Sequence, residues 1–228
     1  MTLLFIHGAG GGSTTWQLQL KHFKDALAIE LPGHPRGFGY STIEEYTQFV
    51  ERYVATNHVN QPILVGHSMG GAIAIEYALR NTGPVGLVLV GTGARLRVRQ
   101  DIFDMIRDDY REATQMLAKL SVAPCSDPLI VERIRDELFK VKPEVVYGDF
   151  SACNKFDRMN DVQRISCPVL VLCGAEDQLT PIQYSEYLHQ KIENSRLVVV
   201  HGAGHSIMLE IHREFNSALQ DFVRSLAQ

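Results

Sequence analysis

The stretch that decides the fold of this chain is Pro62-Ile63-Leu64-Val65-Gly66-His67-Ser68-Met69-Gly70. Its first four residues are apolar and predict a short buried strand. The residues from Gly71 to Arg80 include three alanines and predict a helix. Gly66 to Gly70 match the pattern G-x-S-x-G, which places a serine in a sharp, strained turn between a strand and a helix. Glycine suits both ends of this turn, because a side chain there would collide with the neighbouring strand or helix. The pattern therefore predicts an exposed Ser68 hydroxyl at the end of a sheet.

Two residues with acid–base chemistry follow later apolar segments. Asp177 lies just beyond segment 168–173, and His205 lies in a glycine-containing turn beyond segment 196–201. Both segments predict strands, and side chains just past the carboxyl ends of parallel strands line the crevice where open α/β sheets bind ligands. The chain order Ser68, Asp177, His205 is one of the known orders of a catalytic triad.

Each of these residues also has a structural interpretation. Ser68 alone would be typical of a helix N-cap, and Asp177 would suit the cap of a helix that begins near Pro181. His201 lies four residues before His205 and is the alternative histidine. The combination of all three residue types in this order favours the catalytic interpretation.

Predicted strands alternate with predicted helices along most of the chain. This alternation predicts an α/β fold, with one mostly parallel sheet of about six strands and helices on both faces. The strands are expected near 2–7, 26–30, 62–67, 85–91, 168–173 and 196–201, and the helices near 14–24, 42–58, 70–81, 181–192 and 206–226.

The segment 97–164 interrupts the alternation. Apolar residues recur at helical spacing in parts of it, such as 102–107 and 129–134. A connection of this length is uncommon as a bare loop, so the segment predicts a group of helices. We therefore expect one domain over residues 1–228, with 97–164 as a helical insertion.

Composition sets bounds on the function. The chain has 228 residues, of which 45% are hydrophobic and 21% charged, and its net charge is −4. These values predict a globular protein with one sizeable core and give no reason to expect a nucleic-acid partner. No apolar run approaches the length of a membrane span, and the first strand lacks the basic start of a secretion signal. The four cysteines show no metal-binding spacing, so we expect no metal and a cytoplasmic location.

Three further segments resemble motifs of a known protein family. Residues 1–11 resemble a strand and His-Gly loop, Glu30-Leu31-Pro32-Gly33-His34 resembles a D-x-P-G-H/Y-G segment, and Gly204-His205 with Glu210, Phe215 and Asn216 resembles a run that carries a catalytic histidine. With the serine turn, these segments make the chain similar to compact members of the α/β-hydrolase superfamily over most of its length. Glu30, Pro35-Arg36 and His212 depart from the family pattern, but none of them belongs to the triad.

The resemblance implies a role for each candidate residue. Ser68 would be the nucleophile, His205 its general base, and Asp177 the group that orients and stabilises the imidazole. The backbone N–H groups of Met69 and Ala9 would form the oxyanion hole, with Gly10 as the alternative to Ala9. The resemblance also implies that segment 97–164 is a cap over the serine, and that the chain begins at what is normally the third strand of the fold.

These roles favour a carboxylesterase that acts on small-molecule esters of small to medium acyl chains, without a cofactor. Three alternatives stay open: a carbon–carbon hydrolase or lyase of the menaquinone-synthase or meta-cleavage type, a lactonase or perhydrolase, and a ligand-binding receptor on a hydrolase scaffold. The menaquinone synthase typically has an arginine where this chain has Ala72, which argues against that alternative. Either a monomer or a homodimer is compatible with the sequence.

Overall fold

Six parallel strands form the centre of the molecule in the computed structural model, which describes residues 1–81 and 83–227. The strands are hydrogen-bonded in the order β2-β1-β3-β4-β5-β6, which confirms the predicted α/β sheet. They are β1 Thr2–Ile6, β2 Leu27–Ile29, β3 Pro62–His67, β4 Gly86–Val90, β5 Val169–Gly174 and β6 Ser195–Val200.

Ten α-helices connect and cover the strands in the described part of the chain. They are α1 Gln17–His22, α2 Ile43–Thr56, α3 Met69–Arg80, α4 Gln100–Asp108, α5 Tyr110–Leu120, α6 Pro128–Lys140, α7 Pro143–Lys155, α8 Ile182–Lys191, α9 Ile207–Glu210 and α10 His212–Ser225. Within the described residues, no helix is long and apolar enough to cross a membrane.

The central strands β3, β4 and β5 are buried along their whole length, which explains why they are almost entirely apolar, whereas the edge strands β2 and β6 are partly exposed. Successive side chains point to opposite faces, so Leu4 and Ile6 pack in one layer while Leu3 and Phe5 pack in the other. Helices α2, α3 and α8 contribute to the layer that contains Leu4. The opposite layer contains Trp16 and residues of α9 and α10.

The helix boundaries differ from the prediction at both ends of the chain. The predicted helix 14–24 consists of a 3₁₀ helix, Ser13–Trp16, followed by the short helix α1. The predicted helix 206–226 is broken at Ile211, whose φ of −127° and ψ of 53° lie outside the helical region. Apolar residues continue on both sides of this break, so periodicity alone did not reveal it.

Four helices, α4 to α7, lie between β4 and β5. They have an apolar cluster of their own, formed by Ile102, Ile106, Ala113, Leu117, Leu138, Val141, Val145 and Val146. This cluster is separate from the two layers that cover the sheet. The helices of this segment line the space beyond the carboxyl ends of β1 and β3.

Candidate active site

Ser68 occupies the turn between β3 and α3 in a strained conformation. Its φ of 53° and ψ of −116° lie in a region that residues with side chains rarely adopt. A Cβ atom on Gly66 would collide with the carbonyl oxygen of Gly70, and one on Gly70 would collide with the carbonyl oxygen of Ile6. The N–H of Ser68 donates to the carbonyl oxygen of Val90 at 2.9 Å. The two glycines thus permit the close approach that holds this turn against β1 and α3.

Asp177 and His205 form a buried hydrogen-bonded pair. Nδ1 of His205 lies 2.8 Å from Oδ2 of Asp177. Burial alone would raise the pKa of Asp177, but the charge of His205 and hydrogen bonds from His205 and Thr180 outweigh burial and lower it. The carboxylate therefore stays ionised beside the imidazole.

The second oxygen of Asp177 organises the turn that follows it. Oδ1 accepts hydrogen bonds from the backbone N–H of Leu179 at 2.9 Å and of Thr180 at 2.8 Å. The Thr180 hydroxyl donates to Oδ2 at 2.8 Å and lies 3.1 Å from Nδ1 of His205. Asp177 thus binds both the histidine and the turn before α8. It does not cap α8, whose N-cap residue is Pro181 and which receives no side-chain cap hydrogen bond. The sequence analysis did not predict Thr180 as a site residue. Its position three residues after an aspartate is nevertheless typical of a local turn.

Two neighbouring strands bring Asp177 and His205 together. β5 and β6 pair in register up to Gly174 and Val200, so the loops that follow them begin at the same level. A Cβ on Gly174 would collide with the carbonyl oxygen of Gly204, which allows the two loops to pack closely. His201, the alternative histidine, is exposed and does not line the cavity that contains His205.

The loop after β1 presents the two candidate oxyanion donors differently. The N–H of Gly10 donates to Oδ2 of Asp149 at 2.8 Å. The N–H groups of Ala9 and Met69 donate to no acceptor in residues 1–81 and 83–227. Of the two candidates in this loop, Ala9 is therefore the one whose N–H is available to a ligand.

His7 braces this loop from below. Its Nδ1 lies 2.8 Å from the carbonyl oxygen of Gly8, and its Nε2 accepts the N–H of Leu31 at 3.1 Å. Burial, with the nearby charge of His34, lowers the pKa of His7 to about 3. His7 is therefore neutral, with its proton on Nδ1 and donated to Gly8.

Two other polar residues near the serine turn have structural contacts. His67 is buried, its Nε2 donates to the carbonyl oxygen of His205 at 3.1 Å, and burial lowers its pKa well below the usual value. Glu76, on α3, is buried and its carboxylate accepts a hydrogen bond from Nε of Arg158 at 2.7 Å. Arg158 also binds the carboxylate of Glu44 at 2.8 Å. These two ion pairs connect α2 and α3 to the segment after α7.

One cavity is lined by four of the six candidate residues, and Asp177 and Met69 do not line it. Ser68, His205 and Ala9 line a space of about 260 Å³. Much of its apolar lining comes from α4 to α7 and the segment before them: Leu96, Val98, Ile102, Met116, Leu117, Leu120, Ile134, Leu138 and Phe150. In the part of the chain that the structure describes, no group of three His, Cys, Asp or Glu side chains is placed to hold a metal ion.

A comparison with protein families gives one match over nearly the whole chain. The model of the family described as alpha/beta hydrolase matches residues 3–218. Among curated proteins, a pimeloyl-(acyl-carrier protein) methyl ester esterase from Neisseria meningitidis is 26% identical over 219 residues. That alignment covers 87% of this chain and 68% of the relative.

Solved structures with the same fold include esterases and a lactonase. A structure described as a thermophilic esterase is 35% identical and superimposes with a TM-score of 0.88, over 98% of this chain and 90% of the other. The enol-lactonase from Burkholderia xenovorans LB400 is 22% identical, with a TM-score of 0.91 over 98% of this chain and 91% of the other. At that identity the second likeness concerns the fold alone.

Proposed function

Since the chain belongs to the alpha/beta hydrolase family, we propose that it is a serine hydrolase that cleaves carboxylic esters of small to medium acyl chains. The observation that carries this proposal is the buried Asp177–His205 pair, with 2.8 Å between Oδ2 and Nδ1, in the loops beside the strained turn of Ser68. The 35% identical thermophilic esterase supports ester hydrolysis over other chemistry on this fold.

In the proposed mechanism, Ser68 Oγ attacks the ester carbonyl carbon while Nε2 of His205 accepts its proton. Asp177 stabilises the imidazolium and keeps the imidazole in the tautomer that can accept this proton. The N–H groups of Ala9 and Met69 donate to the oxyanion of the tetrahedral intermediate. When the intermediate collapses, the alcohol leaves with the proton from His205, and the acyl group stays on Ser68.

Water completes the cycle. His205 accepts a proton from water, whose oxygen attacks the acyl-enzyme carbonyl through a second tetrahedral intermediate. The carboxylic acid then leaves, and the proton returns to Ser68. No step needs a metal or an organic cofactor.

The cavity supports the proposed preference for small to medium acyl chains. Its volume of about 260 Å³ is slightly below the roughly 300–1,000 Å³ of typical ligand pockets. Helices α4 to α7 act as a cap in this proposal, because they supply apolar side chains such as Met116, Leu138 and Phe150 that would contact an acyl chain. The four cysteines are free thiols, which fits the proposed location in the reducing cytoplasm.

The test is hydrolysis of p-nitrophenyl esters from acetate to laurate. We expect turnover by the wild type that is highest with short or medium chains and is lost in Ser68→Ala. Ser121→Ala is the matched control, because Ser121 lines the same cavity but its hydroxyl donates to the carbonyl oxygen of Leu117 at 2.7 Å. A folded wild type without turnover on any of these esters would reject the proposal and favour carbon–carbon cleavage or a receptor.

A further inference from the structure

We propose that Asp149, on helix α7, is a positioning residue that holds the loop containing Ala9 in the geometry that binds the oxyanion. This proposal rests on the proposed function, since it assigns a role in the same reaction. The hydrogen bonds of the Asp149 carboxylate go to Gly10, His34 and Tyr46, and none goes to the triad. Asp149 acts on the loop after β1, through the residue next to Ala9.

Asp149 is fully buried and binds three separate segments. Its Oδ2 accepts hydrogen bonds from the N–H of Gly10 at 2.8 Å and from Nε2 of His34 at 2.8 Å. Its Oδ1 accepts the hydroxyl of Tyr46, on α2, at 2.5 Å. The exposed fraction of Asp149 is 0%. One carboxylate thus connects α7 to the loop after β1, the loop after β2 and helix α2.

The charge of Asp149 has a buried partner. Burial alone would lower the pKa of His34, but the hydrogen bond and charge of Asp149 outweigh it and raise the pKa. His34 therefore carries its proton toward Asp149, and the two form an ion pair away from water. A fully buried ion pair costs desolvation free energy and often adds little net stability. We therefore assign this pair, between α7 and the loop after β2, a role in holding the neighbouring loops in place.

Asp149 and His7 together fix both peptide groups that flank Ala9. The carbonyl oxygen of Gly8 accepts from His7 Nδ1 at 2.8 Å and from the N–H of Gly11 at 3.1 Å, which fixes the peptide group between Gly8 and Ala9. The peptide group between Ala9 and Gly10 is fixed by the bond from Gly10 to Asp149. Because a peptide group is planar, fixing its carbonyl also fixes the direction of its N–H. The N–H of Ala9 belongs to the first of these groups, so His7 and Gly11 set its direction. The bond from Gly10 to Asp149 holds the chain on the other side of the Ala9 Cα atom, so Asp149 limits the movement of Ala9 relative to the cavity.

Gly10 packs closely against apolar side chains of α6 and α7. Gly10 has a φ of +63°, and a Cβ there would lie 2.5 Å from Cδ2 of Leu138 and 3.3 Å from Cγ2 of Val146. The loop therefore lies directly against α6 and α7 as bare backbone. Loss of the Asp149 carboxylate would free the peptide group between Ala9 and Gly10, and Ala9 with its N–H could then shift, although the apolar contacts would stay.

Asp149→Asn is the main test. The amide has nearly the same shape as the carboxylate, but its nitrogen is a donor and cannot accept a hydrogen bond. Removal of an oxyanion donor costs about 100-fold to 1,000-fold in kcat in other enzymes, and we expect a smaller loss, about 10-fold to 100-fold, when the donor is only misdirected. KM should stay within about two-fold, because the oxyanion forms only in the transition state.

Inhibitor affinity distinguishes positioning from a general structural role. A trifluoromethyl ketone forms an anionic adduct with the serine, so its affinity should fall in parallel with kcat. The corresponding secondary alcohol forms no oxyanion, and its affinity should stay unchanged. Glu76→Gln is the matched control: Glu76 is another buried carboxylate with a cationic partner, 2.7 Å from Arg158, and its loss should lower stability but not kcat. If Asp149→Asn does not fold, Asp149→Glu, which displaces the carboxylate by one methylene, should show the same selective loss.

The outcomes separate this proposal from the proposed function. A folded Asp149 variant with wild-type kcat and ketone affinity, or with equal losses for the ketone and the alcohol, would overturn the positioning role alone. A wild type that hydrolyses no ester, or a Ser68→Ala variant that keeps its activity, would instead overturn the proposed function.

Discussion

At the scale of single residues, the two carboxylate oxygens of Asp177 bind different partners. Oδ1 accepts two backbone N–H groups of the following turn, at 2.9 and 2.8 Å, and Oδ2 accepts from Thr180 and His205. The turn therefore holds the carboxylate before any substrate binds. In the proposed reaction, this arrangement would hold the imidazole without a large reorganisation.

Asp177→Asn should lower kcat by about four orders of magnitude, because the amide would favour the imidazole tautomer that cannot accept the serine proton. Steady-state kinetics with the best p-nitrophenyl ester provides the measurement. The turn should survive, since the amide oxygen can still accept from Leu179 and Thr180. Asp161→Asn, on the surface and paired with Arg164 at 3.3 Å, is the control. A loss below about ten-fold in Asp177→Asn would argue against the triad.

The buried ion pair between His34 and Asp149 predicts a pH-dependent stability. The pKa of His34 is raised in the folded state, so its contribution is fully present below the unfolded value of about 6.5 and is lost as the pH rises through the folded pKa. His34→Gln should therefore lower the free energy of unfolding by about 3 kcal/mol at pH 6 and by less at pH 9. Urea denaturation at both pH values measures the difference. An equal effect at pH 6 and pH 9 would mean that His34 is not charged in the folded protein.

At the scale of elements, the ends of β5 and β6 set the distance between the acid and the histidine. The backbone of Gly174 at the end of β5 packs directly against Ala203 and Gly204 in the loop after β6. No side chain can enter this space without moving one loop away from the other. The glycine thus links the packing of two strands to the geometry of the Asp177–His205 pair.

Gly174→Ala should destabilise the fold by about 3 kcal/mol, because its Cβ would collide with carbonyl oxygens of Ala203 and Gly204. Gly83→Ala is the matched control, since no described atom beyond its own chain neighbours lies within 4 Å of a Cβ built on Gly83. It should change stability by less than about 0.5 kcal/mol. Thermal or urea unfolding of both variants measures this. Similar stabilities for the two variants would show that the loops can separate at little cost.

The elements of the sheet were predictable from the sequence, whereas the contacts between distant segments were not. Each strand contains an apolar segment, and the pattern around Ser68 predicts its turn without reference to the rest of the chain. The break at Ile211 leaves no mark in the apolar periodicity. The bond between Gly10 and Asp149 joins residues 139 positions apart, and nothing local to either residue indicates it. For the same reason, the sequence left Ala9 and Gly10 as alternatives.

At the scale of the whole molecule, helices α4 to α7 are connected to the sheet on both sides of the cavity. On one side, Asp149 binds the loop after β1. On the other, the carboxylate of Glu210 accepts from the N–H of Ala123 at 2.7 Å and of Gly204 at 3.0 Å. One connection reaches the loop of the proposed oxyanion donor, and the other reaches the loop of His205. The segment that shapes the cavity therefore also supports the loops that perform the proposed chemistry.

The central claim is that Ser68 is the activated nucleophile of this cavity, and covalent labelling tests it most directly. The protein would be treated with a fluorophosphonate, and the modified peptide identified by mass spectrometry. We expect one adduct, on Ser68, that forms in proportion to the loss of esterase activity and is absent in Ser68→Ala. An adduct on another residue such as Ser121 or Ser206, or a protein that loses no activity and carries no adduct on Ser68, would contradict the account.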